Sequence, residues 1–283
     1  MATDDHQRLR IRAAELRLHI IQMMGAGKAH HFGGSLSAAD LVTAIYFYAL
    51  RYDPSNPRWP DRDRFLMSKG HCVPAQYAAL AMLEVLEPAE LPGLKTLGCR
   101  LQGHPAMHLT PGIEGCTGSL GHGLSYANGM ALAARVLGSD YRVYCLLGDG
   151  ETQEGQVWEA AMAAAQHQLQ NLTALIDRNR LKAMDATDTA KPMEPMAERW
   201  RSFGWRVREI DGHDMAAICE ALDWARASDG PPSLIIAHTI KGRGISFIEN
   251  DPAYHNAVLT EEQIVAARAA QEHLRQQLCQ EAA

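Results

Sequence analysis

No stretch of this 283-residue chain is apolar for the length a bilayer requires, and Met1 to Arg12 is polar, unlike a secretory leader. Basic charge is scarce as well. The 27 Lys and Arg against 33 Asp and Glu leave a net −6, which favours solubility and offers no electrostatic footprint for nucleic acid. Neither a membrane nor a nucleic-acid partner is expected. The six cysteines (Cys72, Cys99, Cys116, Cys145, Cys219 and Cys279) include no Cys-x-x-Cys pair, so they indicate neither a zinc site nor a disulfide framework. Reduced thiols in a cytoplasmic protein are the expectation. Internal repeats, low-complexity tracts and a linker to a second domain are also missing. What is there, with a hydrophobic content of 47%, is enough for one large core. A single domain over 1–283 is expected, with a helical tail from about residue 260.

The chemistry concentrates at Gly148-Asp149-Gly150. Tyr141 to Leu147 (YRVYCLL) is β-branched and apolar, the pattern of a buried strand, and Val157 to Gln168 is rich in helix formers. Gly-Asp-Gly therefore sits where the carboxyl end of a strand turns into a helix, which is where open α/β sheets hold ligands. The glycines admit an anion close to backbone amides, while a carboxylate between them repels a bare phosphate unless a cation intervenes. A metal-bridged diphosphate meets both conditions. Asn171 to Asp177 (NLTALID) reads as the next strand and runs into Arg178-Asn179-Arg180-Leu181. Asp149 and Asn179 then lie at matching ends of two neighbouring strands in a βαβ unit. With a backbone carbonyl near Leu181 they make a set of hard oxygen donors suited to Mg²⁺, Ca²⁺ or Mn²⁺.

Other glycine-punctuated segments flank this centre. Ala29 to Ser37 (AHHFGGSLS) reads as a turn ending in a serine cap for a helix from Ala38 to Leu50. Gly25-Ala26-Gly27-Lys28 only superficially suggests a phosphate loop, because it follows a helix and has Ala29 in place of Ser or Thr. Ser68-Lys69-Gly70-His71 ends a short strand before a helix from Pro74. Gly112 to Gly123 (GIEGCTGSLGHG) leads into a helix from Leu124 to Val136, so its backbone lies close to a positive helix end. Further on, 205–210 and 232–240 read as strands, Asp214 as a helix cap, and Thr260 with Gln263 as a capping box.

In this order, from about Leu16 to about Leu259, these segments resemble transketolases. GDGETQEGQVWEA followed by LIDRN is similar to that family's thiamine-diphosphate motif. The fold class this implies is α/β, with a doubly wound, mainly parallel sheet and helices on both faces. The resemblance also implies thiamine diphosphate and a divalent metal as cofactors, with Asp149, Asn179 and the Leu181 carbonyl holding the metal. His71, Gly118, Ser119, Leu120, Gly150, Asn179, Lys241 and His255 would hold the cofactor. His31, His104 and His255 would bind or protonate sugar oxygens during transfer of a two-carbon ketol unit. Two departures stand out: His30-His31-Phe32 where the family commonly has Gly-His-Pro, and His122 where relatives usually have Gln. Glu154 matches a family glutamate at the subunit interface.

The chain stops where a full-length transketolase continues into its pyrimidine-binding domain. The resemblance is therefore to the N-terminal subunit of a split transketolase. It implies a companion C-terminal subunit, sugar substrates, and an assembly of two copies of each chain. Two other readings stay open. An α-type subunit of a 2-oxo-acid dehydrogenase-like thiamine enzyme would share the metal anchor and lack this histidine set. A non-catalytic binding or regulatory subunit would keep the surface and lose the ligands.

Overall fold

A computed structural model describes residues 2–25, 27–183 and 185–282. Ala26, within the phosphate-loop look-alike, and Met1 and Ala283, the ends of the expected single unit, lie outside the described residues. The strands are β1 (Ala29–His30), β2 (Arg64–Met67), β3 (Val143–Gly148), β4 (Leu172–Arg178), β5 (Arg206–Asp211), β6 (Ser233–His238) and β7 (Ala257–Val258). The helices are α1 (Ala2–Met24), α2 (Phe32–Ser37), α3 (Ala39–Ala44), α4 (Val73–Met82), α5 (His122–Leu137), α6 (Gly155–Gln166), α7 (Thr187–Ala190), α8 (Met196–Ser202), α9 (Met215–Arg226) and α10 (Glu261–Glu281). None is long and apolar enough to cross a membrane among the described residues.

Five strands form one parallel sheet in the order β2-β3-β4-β6-β5. Their side chains alternate between two apolar layers, as the period of two requires. Tyr144, Leu146, Leu175 and Ile235 face the layer built with α1, α3, α4 and α9. Val143, Cys145, Leu147, Ile176 and Ile236 face α5, α6 and α8. Every residue of β4 is buried, which explains why the strand reads as a continuous apolar run rather than an alternating one. The chain leaves β2 toward α4 on one face and β3 toward α6 on the other. Such a divergence opens a crevice at the carboxyl ends of two adjacent strands.

Local chemistry sets most boundaries. The Asp214 carboxylate accepts from Ala216 N–H and Ala217 N–H to start α9, and Thr260 and Gln263 form the capping box of α10. One expected element is different. Phe32 to Ser37 is helical rather than a turn, and beyond α3 the chain makes a π-turn at Ile45–Ala49. Ser37 does not cap. Its hydroxyl donates to Asp177 at 2.5 Å, and Gly33 O accepts from Gly242 N–H, so tertiary partners override the turn propensity of Gly-Gly-Ser. The glycines are needed for packing: a methyl group on Gly34 would lie 2.6 Å from Cys72 Sγ.

A buried polar cluster ties the helical layer to the end of β6. Arg17 holds Asp40 with two hydrogen bonds, at 3.0 and 2.6 Å, and His213 Nδ1 lies 2.7 Å from the same carboxylate. Because His213 Nε2 accepts Ile240 N–H at 2.8 Å, Nδ1 carries the proton and donates to Asp40. Burial opposes ionisation of Asp40, but Arg17 and His213 outweigh it and hold the carboxyl below its ordinary value. A depressed folded-state pKa contributes stability that is fully present above the unfolded value of about 3.9 and drains away as pH falls through the folded one. In urea titrations from about pH 3.9 down to about pH 2, Arg17→Met is expected to flatten the acid limb by about 1.4 kcal/mol per pH unit, one proton's worth.

Candidate active site

Asp149 follows β3 directly and begins the short 3₁₀ turn Gly150–Gln153. Its Oδ1 accepts Gly150 N–H at 2.7 Å, and its Oδ2 accepts Arg180 N–H at 2.6 Å and the Arg178 guanidinium at 3.1 Å. Burial and the Asp177 carboxylate push its pKa up to about 6. The β3–β4 register sets Gly148 against Asp177, so Asp149 and Asn179 both follow the carboxyl ends of neighbouring strands. Asn179 Nδ2 donates to Asp177 at 3.1 Å, which fixes the amide so that Oδ1 is the acceptor and takes Leu181 N–H at 3.1 Å. The Leu181 carbonyl already attracts a cation, accepting from Lys241 Nζ at 3.0 Å.

Asp149, Asn179 and Leu181 line one cavity of about 440 Å³, together with His31, His71, His104 and His255. This donor set fits a hard divalent ion. No group of three or more His, Cys, Asp or Glu side chains is placed to hold a metal among the described residues. An ion here would need the amide and carbonyl oxygens, completed by oxygens of a bound ligand.

The four histidines pack ring to ring. The His31 centroid lies 4.9 Å from His71, 5.3 Å from His255 and 6.5 Å from His104. The two-residue ladder of β1 with β7, pairing Ala29 with Val258 and His30 with Ala257, brings His31 to His255. Burial above all, then neighbouring positive groups, lowers the pKa of His31 and His255 to about 3 and of His71 to about 4, and lowers that of His104. All four are neutral near pH 7, each with one donor and one acceptor nitrogen. Lys241 Nζ lies 2.9 Å from His255 Nδ1, so the ammonium donates there and Nε2–H is left for a ligand.

Two loops complete the wall. Gly118 and Leu120 line the cavity, whereas Ser119 is exposed and outside the lining. A Cβ on Gly70 would sit 2.2 Å from Thr117 O, so only glycine lets the loop after β2 close on the 117–120 loop. Glu151, buried, gathers three segments: it accepts from Ser68 Oγ at 2.6 Å, Gly121 N–H at 2.9 Å and Gly148 N–H at 3.0 Å. The sequence assigns no role to Glu151 or Asp177, and marks Lys69 only as part of the Ser68-Lys69-Gly70-His71 strand end. Asp177 is wholly buried and accepts from Ser37, Lys69, Thr239 and Asn179. A buried strand that ends in a carboxylate is the one signal that could have exposed it, since an unpaired charge is not left in a core.

A model of the family "Transketolase, thiamine diphosphate binding domain" matches residues 9–276. The chain belongs to the transketolase family. It is 45% identical over 255 residues to the 6-deoxy-6-sulfo-D-fructose transketolase subunit SqwG of Clostridium sp. (strain MSTE9), covering 90% of this chain and 92% of that one. It is 42% identical over 255 residues to an apulose-4-phosphate transketolase subunit of Phocaeicola vulgatus, covering 90% of each. The transketolase structure from Campylobacter jejuni superposes with a TM-score of 0.87 at 30% identity, covering 95% of this chain and 45% of that one. The parallel five-stranded sheet with its helices is thus the transketolase thiamine-diphosphate-binding fold.

Proposed function

We propose that this chain binds thiamine diphosphate through a divalent ion, Mg²⁺ first, and transfers a two-carbon ketol unit between sugars together with a companion chain. The observation that carries the reading is the single cavity with oxygen donors from Asp149, Asn179 and Leu181 and with the imidazoles of His31, His104 and His255. In this reading those three oxygens hold the ion. His71, Lys241, Asn179, Gly150, Gly118 and Leu120, which line that cavity, cradle the cofactor. Thiamine diphosphate, when bound, supplies the carbon–carbon bond chemistry. His31 and His104, kept neutral by burial, donate to and accept from sugar oxygens without a charge to desolvate. His255, with Nδ1 occupied by Lys241, presents Nε2–H to a carbonyl or hydroxyl oxygen.

The histidine set favours this over a 2-oxo-acid dehydrogenase-like subunit, and the intact donor set favours it over a regulatory chain. Relatives of nearly the same length are named as transketolase subunits, which supports a partner. In this reading 1–283 acts as one diphosphate-binding unit in the cytoplasm, the partner brings the pyrimidine-binding half, and two copies of each chain assemble. Ketol transfer should be negligible for this chain alone and appear when the companion chain, thiamine diphosphate and Mg²⁺ are added. Full activity of the lone chain, or oxidative decarboxylation of a 2-oxo acid by the mixture, would overturn it.

A further inference from the structure

Asp177 and Arg178 are successive residues of β4, so their side chains leave the strand toward opposite layers. Asp177 meets Ser37 and Lys69 on one side. Arg178 turns to the other, where its side chain is fully buried. Its Nη1 donates to Asp149 Oδ2 at 3.1 Å and to Thr187 Oγ1 at 2.6 Å, and its Nη2 donates to Asp188 Oδ2 at 3.0 Å and Glu194 Oε1 at 2.7 Å. The second oxygens of the two outer carboxylates are held as well. Met193 N–H donates to Asp188 Oδ1 at 3.3 Å, and Met196 N–H to Glu194 Oε2 at 3.0 Å. One guanidinium thus faces three carboxylates among the described residues, and of these Asp149 is the one that lines the cavity. Asp188 and Glu194 stand outside the lining, with side chains 41% and 53% exposed. Pairing a buried cation takes one carboxylate, so the other two leave a surplus of negative charge behind Asp149.

We propose that Arg178 is the positioning residue of the Asp149 ligand, and that Asp188 and Glu194 set the site's affinity for a divalent cation from outside the cavity by neutralising that guanidinium. The inference rests on the metal-bound reading of Asp149. A carboxylate oxygen offers two lone-pair sites. Arg178 and Arg180 N–H take both on Oδ2, whereas Oδ1 accepts only from Gly150 N–H among the described residues and keeps one for an ion. A cation bonded to a ligand carboxylate holds its orientation but opposes the charge the ligand is there to attract. Asp188 and Glu194 remove that opposition and leave the hydrogen bond in place. Backbone contacts bring them there: Leu181 bridges Ala186, and Thr187 N–H donates to Arg180 O at 2.9 Å, which returns the segment 185–194 to Arg178.

The test is equilibrium dialysis of Mg²⁺ against the two-chain complex with thiamine diphosphate, at fixed pH and ionic strength, with thermal unfolding of every variant alongside. Arg178→Met should weaken Mg²⁺ binding about tenfold, because the Asp149 carboxylate is freed to turn. Asp188→Asn/Glu194→Gln should also weaken it about tenfold, although neither side chain lines the cavity, because the guanidinium then opposes the ion uncompensated. Glu194→Asp, which keeps the charge, should have the smaller effect of the Glu194 changes. The triple variant decides. Adding Arg178→Met to Asp188→Asn/Glu194→Gln should strengthen binding relative to the double variant, reversing the sign it has in the wild-type background. A mere prop for the segment would change melting temperature and give no reversal. Unchanged affinity in Asp188→Asn/Glu194→Gln, or Arg178→Met weakening both backgrounds alike, overturns the inference and leaves the metal site standing. Failure of the unmutated complex to take up Mg²⁺ removes the metal-bound reading itself, and the inference falls with it.

Discussion

Asp149→Ala is expected to abolish retention of Mg²⁺ and thiamine diphosphate by the two-chain complex, weakening metal binding by about a hundredfold or more. The carboxylate is the only anionic member of the proposed ligand set. Asn179 contributes an amide oxygen, and Leu181 a carbonyl on which Lys241 already sits. Asp149 also receives Arg180 N–H and the Arg178 guanidinium, so a local structural cost has to be separated from lost ligation. Arg178 keeps partners without it, at Thr187, Asp188 and Glu194, which limits that cost. Two readings therefore decide: equilibrium dialysis with Mg²⁺ and cofactor, and thermal unfolding of the lone chain. A variant that melts near the wild type and releases its cofactor supports the anchor. One that retains cofactor at wild-type stoichiometry removes the anchor and the enzymology built on it.

Asp149 and Asn179 were legible because a strand fixes direction and a glycine fixes the turn, so two strand ends can be placed together from local pattern alone. The pair of Lys69 with Asp177 was not, although Lys69 lines the same cavity and Asp177 lies buried behind it. Its members are 108 residues apart, Lys69 just past the end of β2 and Asp177 within β4, with β3 between them, and only the completed strand order brings them to one place. The same limit explains the segment 32–37. Gly-Gly-Ser reads as a turn by propensity. It is helical because Ser37 reaches Asp177 and Gly34 tolerates Cys72, contacts made with residues far along the chain. His30-His31 shows how fine the distinction between neighbours can be. One histidine is buried at the end of a two-residue strand, and the next opens a helix into the cavity.

Removing either partner of the Lys69–Asp177 pair should destabilise the chain, and unequally. Both side chains are buried, the carboxylate completely. Asp177→Asn leaves the Lys69 ammonium with neutral acceptors such as the Gly34 carbonyl and no counter-charge, and an uncompensated buried cation costs about 4 kcal/mol. Lys69→Met leaves a carboxylate that still accepts from Ser37, Thr239 and Asn179, and donors of that kind keep a buried anion tolerable, so about 2 kcal/mol is expected. The depressed pKa of Asp177 has the same origin: burial opposes the charge, and Lys69 and the hydroxyl donors outweigh it. The double variant Lys69→Met/Asp177→Asn should recover about 2 kcal/mol relative to the sum of the two losses, because no isolated charge remains. Urea unfolding of the lone chain measures all four corners of the cycle. Equal costs for the two single changes, or strict additivity in the double, would mean that the hydroxyl and amide network holds Asp177 in place without the ion pair. In that case the orientation of Asn179, set by its hydrogen bond to Asp177, should survive the loss of Lys69 unchanged.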